Sequence, residues 1–316
     1  MPKLITGGAG FIGSHLTKRL VDEGEEVVLF DIFLESRLIQ PIRNRVRIFK
    51  GDLSSWNDIF EVVQKYHIKG IYHLGALLAV EAEENPVKAY RVNVNGTFYI
   101  LEVARFFKLE RVVYISSIAS YGTGIPERVN EDVIQMPTSM YGVTKVISER
   151  LGEYYHRRFG VDFRALRFPA VIGAGRGGGG ATAYSTLIVS EPALGRPYQV
   201  PVHEEAQIPL LYIKDAIQSL YSLYKADNEK LKRRVYNIAG FSPTAKQLAD
   251  AVKKQLPKAN LEFKPDPKLV SIIQDWPKYF DETRANQEWG WKTQYNLDEA
   301  ITDFIQEIQS NPYLYD

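Results

Sequence analysis

Through its first half the chain alternates short apolar runs with amphipathic stretches of helical period. The apolar runs predict strands over Lys3 to Thr6, Glu26 to Phe30, Val46 to Lys50, Gly70 to Leu74, Arg111 to Ile115 and Asp162 to Arg167. Helices are predicted over Gly13 to Glu23, Trp56 to Tyr66, Asn93 to Phe107 and Tyr141 to Phe159. Runs such as Val27-Val28-Leu29-Phe30 and Val112-Val113-Tyr114-Ile115 show no polar alternation, so both of their faces should be covered. With right-handed crossovers, this order predicts an α/β fold built on a doubly wound parallel sheet, a Rossmann arrangement that binds its ligand at the carboxyl ends of the strands.

After about residue 173 the alternation lapses. Gly173 to Gly180 holds six glycines in eight residues and reads as a loop over a site, with a plain linker as the alternative. Leu211 to Ile213 and Val235 to Ile238 read as strands that return to the sheet. The expected organisation is a sheet domain over 1–172 with return segments near 206–240, and a smaller, interleaved C-terminal lobe over 173–316. No internal repeat is visible.

Composition narrows the function classes. Thirty-nine basic and 38 acidic residues leave a net charge of +1, so nothing draws the chain to nucleic acid or to an anionic membrane. The absence of cysteine removes disulfides, thiolate nucleophiles and Cys-based metal sites, and fits a reducing compartment. His15, His67, His73, His156 and His203 show no ligand spacing, so no metal is expected. No run approaches the ~18 apolar residues of a membrane span. Met1-Pro2-Lys3 leads straight into the first strand, without a separate apolar leader. The expectation is a cytoplasmic protein acting on a small molecule.

The chemistry begins at Thr6-Gly7-Gly8-Ala9-Gly10-Phe11-Ile12-Gly13, a glycine triplet between a strand and a helix. Gly7, Gly10 and Gly13 allow positive φ and let a pyrophosphate approach, while Phe11 and Ile12 open the helix whose N–H groups would bind it. Asp31 closes the second strand 18 residues after Gly13, where a carboxylate accepts hydrogen bonds from the adenosine ribose and repels the extra phosphate of NADP. Arg37, close by, keeps NADP open. Asp52 and Leu53 follow the third strand; Asp52 is placed either to meet the adenine or to cap a helix.

Tyr141 and Lys145 stand four residues apart, on one face of a predicted helix. A nearby ammonium favours the phenolate, which makes Tyr141 a candidate base despite an ordinary pKa near ~10. Ser117 ends the strand Tyr114-Ile115-Ser116-Ser117 and could hold the oxygen whose proton Tyr141 takes. Tyr-x-x-x-Lys alone is common by chance. In this order behind the glycine turn it is specific.

These elements make the chain resemble the extended short-chain dehydrogenases/reductases, the NAD-dependent epimerase/dehydratase family. The resemblance rests on Thr6 to Gly13, Asp31, Gly51-Asp52-Leu53, His73-Leu74-Gly75-Ala76, Asn93-Val94-Asn95-Gly96-Thr97, Ser116-Ser117, Tyr141 to Lys145 and Arg167-Phe168-Pro169. It implies NAD as cofactor, lined by Leu74, Gly75 and Ala76 and bound through Lys145 at the nicotinamide ribose. It also implies that Asn93 supports the site and that the backbone from Pro169 to Ile172 meets the carboxamide. By the same resemblance the helices over Asn93–Phe107 and Tyr141–Phe159 form a homodimer interface.

Within the family, a nucleotide-sugar epimerase or dehydratase usually carries Asn where this chain has Pro169-Ala170, and often an arginine near Ile208-Pro209-Leu210-Leu211. Neither is present, and a diphosphate without them would be poorly held. The second half is instead similar to the short-chain type of L-threonine 3-dehydrogenases, through Gly177 to Tyr184, Pro209 to Ala216, and Trp276-Pro277 to Gly290. That implies substrate contacts at Ala79, Ser117, Ala181, Thr182 and Tyr184. Where those enzymes tend to have Ser and Thr-Thr-Asp-Tyr, this chain has Ala79 and Ala181-Thr182-Ala183-Tyr184. Fewer polar groups point toward a less polar 3-hydroxy acid or secondary alcohol. The expected reaction is NAD-dependent oxidation of a secondary alcohol. The alternatives are a UDP-sugar epimerase with bound NAD and a non-catalytic NAD sensor. Arg176 is open between a substrate-carboxylate ligand and a solvated loop residue. Trp276, Trp289 and Trp291 read as core of the small lobe.

Overall fold

The computed structural model describes residues 1–274 and 276–315. The first half contains β1 (Lys3–Thr6), α1 (Phe11–Asp22), β2 (Val27–Asp31), β3 (Arg47–Lys50), α2 (Trp56–Lys65) and β4 (Gly70–His73). There follow α3 (Ala79–Glu84), α4 (Pro86–Ala89), α5 (Gly96–Phe106), β5 (Arg111–Ser117), β6 (Arg128–Val129) and α6 (Met140–Phe159). The second half runs through β7 (Phe163–Phe168), β8 (Ala170–Ile172), α7 (Ala183–Ala193), β9 (Tyr198–Val200), β10 (Leu210–Tyr212) and α8 (Ile213–Lys225). It ends with β11 (Val235–Asn237), α9 (Ala245–Gln255), β12 (Leu261–Phe263), α10 (Pro267–Ile273), β13 (Tyr279–Phe280), α11 (Thr283–Trp289) and α12 (Leu297–Ser310).

Seven parallel strands form one sheet in the order β11-β7-β5-β4-β1-β2-β3. Neighbouring residues on each strand serve opposite faces: Ile5 packs with Leu16, Leu20 and Leu220, and Leu4 packs with Val28, Ile59, Ile100 and Val103. Both faces are thus covered, as the unbroken apolar runs require. The chain leaves β1 toward β2 on one side, whereas β4 lies on the other. The crevice at this switch point is where a doubly wound sheet binds a ligand. The doubly wound expectation is met.

The observed elements differ in detail from the pattern. Helix α1 begins at Phe11, not Gly13, because the glycine turn is complete at Gly10, the N-cap. The helix expected from Asn93 is preceded by a π-helical turn, Tyr90–Asn95, that runs into α5. Pro169, which lacks an N–H for the ladder, separates β7 from β8, and β8 pairs with β10 in a separate two-stranded sheet. Only β11 of the two expected returns joins the large sheet, beside β7. Helices α7, α9 and α12 pack on one another in the second half.

Candidate active site

The glycine turn is shaped by what a side chain would strike. Gly7 takes a φ of +66°, and a Cβ there would lie 2.7 Å from the Cα of Gly75 at the end of β4. A Cβ on Gly13 would meet the Gly7 carbonyl oxygen at 2.1 Å. Among the described residues no side chain caps α1, and its first turn contains no acidic residue. Its N–H groups are left for an anion from outside the chain.

Asp31, at the end of β2, accepts the Ala9 N–H at 3.0 Å with one carboxylate oxygen and the Phe33 N–H at 3.2 Å with the other. The turn thereby carries its acidic group into the same crevice. Arg37 donates to the Tyr313 carbonyl at 3.4 Å. Asp52 accepts the Ser54 N–H at 2.8 Å, while Ser55 caps α2. The capping alternative for Asp52 is therefore removed.

A cleft of about 1840 Å³ opens from this turn. That exceeds the ~300–1,000 Å³ of a single small-molecule site and leaves room for a dinucleotide beside a second reactant. Gly7, Gly10, Phe11, Ile12 and Gly13 line one end with Asp31, Asp52 and Leu53. Leu74, Gly75, Ala76 and Pro169 line it as well, as do Ser117, Tyr141, Lys145, Ala79, Ala181 and Thr182. The uncapped helix end, the glycine cradle and the strand-end carboxylate fit NAD.

Three predicted residues lie off this surface. Ile172 is fully buried, and its strand pairs with Tyr212. Tyr184 is 3% exposed and packs in the main core, because the first turn of α7 aims it inward. Asn93 is buried as well, but it acts on the site from behind. Its carboxamide accepts the Leu77 N–H at 2.8 Å, and donates to the Leu77 carbonyl at 3.0 Å and to Thr144 Oγ1 at 3.1 Å. One side chain thus ties the loop after β4 to α6.

Helix α6 brings the reactive groups together. Ser139 caps it by accepting the Gly142 N–H at 3.1 Å, which puts Tyr141 in the first turn and Lys145 one turn on. A Cβ on Gly142 would lie 2.2 Å from the Ala119 carbonyl oxygen, so glycine lets α6 close on the loop that leaves Ser117. Burial pushes the Tyr141 phenol up to about 12, against a hydrogen bond from Ser117. Lys145 is buried, which brings it down to about 7 although Glu149 favours its charge, and it donates to the Ile115 carbonyl at 2.7 Å.

Several groups around the site have roles that the motifs alone do not show. Glu149, one turn beyond Lys145, accepts from Arg167 Nε at 3.0 Å and Nη2 at 2.7 Å, and from the Ser116 hydroxyl. Arg167 also donates to the Tyr121 hydroxyl at 2.7 Å. His73 bridges Thr6 Oγ1 at 2.7 Å and Thr97 Oγ1 at 3.1 Å, and burial, with Lys145 nearby, holds it down at about 3, a neutral spacer. On α3, Glu81, Glu83 and Glu84 line the cleft, and Glu83 accepts the Met140 N–H at 2.5 Å. The signal available was Ala79 itself, since α3 starts there. Trp291 is core, whereas Trp276 also reaches the cleft. Among the described residues no group of three His, Asp or Glu side chains could hold a metal ion.

A doubly wound sheet whose glycine turn opens into a cleft with Ser117, Tyr141 and Lys145 defines an NAD-dependent oxidoreductase. The chain belongs to the NAD dependent epimerase/dehydratase family, whose profile matches residues 3–239. It is 33% identical over 315 residues to the mitochondrial L-threonine 3-dehydrogenase of Bos taurus, across 96% of this chain and 81% of that protein. The structure of L-threonine dehydrogenase from Clostridium difficile matches with a TM-score of 0.92 and 34% identity, covering 98% of both chains. The GalE-like L-threonine dehydrogenase of Cupriavidus necator, in its holo form, gives 0.91 and 32%, over 98% of this chain and 100% of that one. NAD is the cofactor these relations assign to the chain.

Proposed function

We propose that the protein oxidises the secondary hydroxyl of a small 3-hydroxy acid, L-threonine or a close analogue. The observation that carries this reading is the meeting of Ser117, Tyr141 and Lys145 on the cleft that begins at the glycine turn. When bound, NAD supplies the hydride acceptor at C4 of its nicotinamide and a positive charge that favours the Tyr141 phenolate. Ser117 holds the substrate oxygen, and Tyr141 takes its proton as the carbon gives up hydride. Lys145, anchored on Ile115, stabilises the phenolate and holds the nicotinamide ribose. A buried phenol near 12 needs that help to act at neutral pH.

Pro169-Ala170 and the buried apolar stretch at Ile208, Leu210 and Leu211 argue against a nucleotide-sugar diphosphate as substrate. The relatives named above are dehydrogenases, which favours net oxidation over epimerisation. In this reading residues 1–172, with return segments near 206–240, form the NAD-binding domain and 173–316 the substrate lobe. Asp266, Leu269 and Trp276 support it by reaching the cleft from the second half.

The homodimer belongs to the same proposal. Phe98, Phe106, Tyr154 and Phe159 are exposed on α5 and α6, as a covered interface would explain; a monomeric mass by light scattering would remove it. Among the described residues no helix is long and apolar enough to cross a membrane. The cytoplasm is proposed on the absence of cysteine. The test of the reaction is NADH absorbance with a panel of L-threonine, both 3-hydroxybutyrate enantiomers, secondary alcohols and UDP-sugars. NADH formed from the hydroxy acids is the expected result. Conversion of UDP-sugars alone, without net NADH, would replace this reading with an epimerase.

A further inference from the structure

Two buried arginines of this protein are matched to carboxylates, Arg164 to Asp162 and Arg167 to Glu149. Arg176 is not. It is half-buried on the cleft wall, and its hydrogen bonds go to neutral groups. Nη1 donates to Thr186 Oγ1 at 2.9 Å and to the Thr182 carbonyl at 3.4 Å, and Nη2 donates to Thr182 Oγ1 at 2.7 Å. The start of α7 therefore clamps the guanidinium without neutralising it. After these three bonds, the Nε–H and one Nη2–H have no acceptor among the described residues. Burial, with no acidic neighbour among the described residues to oppose it, brings the group down to about 10. A cation kept half out of water, with no carboxylate partner among the described residues, is suited to an anion from a ligand.

The path of the loop shows which anion. A Cβ on Gly173 would lie 3.2 Å from the Phe11 ring, the Ala174 carbonyl is 3.2 Å from His15 Nε2, and a Cβ on Gly175 would strike Leu38. Gly173 and Ala174 thus lie against the first turns of α1, the helix whose N–H groups stand open to the cleft, and Gly175 against the segment that follows β2. We propose that Arg176 holds the pyrophosphate of NAD, completing from the loop after β8 the anion site that the N-terminus of α1 begins. A planar fork with free N–H groups suits paired phosphoryl oxygens. A substrate carboxylate shares that chemistry, and the test separates the two.

Calorimetric titration of the full chain reads the interaction without turnover. Arg176→Met should weaken NAD and ADP-ribose alike by about tenfold or more, the scale of a lost charge-assisted hydrogen bond. Both ligands carry the pyrophosphate, and ADP-ribose lacks the nicotinamide. Arg176→Lys, which keeps the charge and loses the fork, should recover only part of the affinity. Unchanged affinity for both ligands overturns the proposal. So does a pattern in which both bind as before and only the KM for L-threonine or 3-hydroxybutyrate rises, since Arg176 would then serve the substrate carboxylate. Should Arg176→Met not fold, Thr186→Val removes one arm of the clamp and keeps the charge. It should weaken NAD and ADP-ribose together, and no change in either again overturns the proposal. The unsubstituted protein is titrated alongside: absent NAD binding there would count against the functional reading, not against Arg176 alone.

Discussion

The Lys145 ammonium lies 5.3 Å from the centre of the Tyr141 ring, held in place by its hydrogen bond to the Ile115 carbonyl. One helical turn and one strand end fix this relationship, so the two residues should fail differently when replaced. Tyr141→Phe should lower kcat by ~10²-fold or more with NAD affinity nearly unchanged, because only the proton acceptor is lost. Lys145→Ala should weaken NAD binding as well. Steady-state kinetics with a parallel NAD titration checks both, and a fully active Phe variant would move the proton elsewhere.

Burial of Lys145 has a consequence for stability. Its pKa falls from 10.5 in the open chain to about 7 in the fold. Between those values the unfolded chain holds a proton that the folded protein does not, so stability should rise with pH across the window. Below about 7 the full penalty of the buried ammonium is present. Urea unfolding of the NAD-free protein at pH 6, 8 and 10, beside Lys145→Met, isolates the effect. The wild type should gain on the variant as pH rises, and a constant difference would mean that Lys145 keeps its ordinary pKa.

The Glu149–Arg167 pair is almost completely shielded from water, at 0% and 1% side-chain exposure. Glu149→Gln leaves Arg167 charged and without its partner, which should destabilise the fold by about 3–5 kcal/mol in denaturant titrations. A loss below about 1 kcal/mol, the range of an exposed pair, would show that water reaches it.

That pair marks where reading from sequence stopped. A glutamate on a helix reads as solvent-facing by default, and only the closing of α6 on β5 and β7 turns Glu149 inward. The sheet was legible because strands covered on both faces are apolar without a break, and the turn after β1 because glycine is the only residue its contacts admit. In the second half, β8, β9 and β12 have three residues each, too few to show a period. Helices α9 and α12 did carry a signal, in the capping boxes Thr244 with Gln247 and Asn296 with Glu299. Tyr184 misled because its position after the glycines resembled a pocket residue, whereas α7 is buried nearly all round and takes the phenol into the core.

The proposed preference for NAD over NADP rests on Asp31. Its carboxylate is fixed by two backbone N–H groups at the crevice, where an added ribose phosphate would meet like charge. NAD should bind at least about tenfold more tightly than NADP, a difference of ~1.4 kcal/mol. Calorimetry decides, and equal affinities would turn attention to Arg37.

The substrate preference follows from what the cleft offers near Ser117 and Tyr141. Ala79 and Ala181 line the same cleft with methyl groups, and the Thr182 hydroxyl beside them accepts from Arg176. A site that hydrogen-bonds a substrate group can reject analogues lacking it by ~10⁴-fold, whereas an apolar wall discriminates only ~10–200-fold. The carboxylates on this wall, Glu81, Glu83 and Glu84, are exposed on α3, where water weakens their hold on an ammonium. L-threonine and 3-hydroxybutyrate should therefore differ in kcat/KM by less than about 200-fold. Measuring both enantiomers of 3-hydroxybutyrate beside L-threonine decides the point. A thousand-fold advantage for threonine would mean that the alanines do not border the amino group and that α3 closes a carboxylate onto it. Glu83→Gln would then be the informative variant, since Glu83 already accepts the N–H of Met140, the residue before Tyr141. Loss of the threonine advantage in that variant, with 3-hydroxybutyrate turnover retained, would give Glu83 the ammonium.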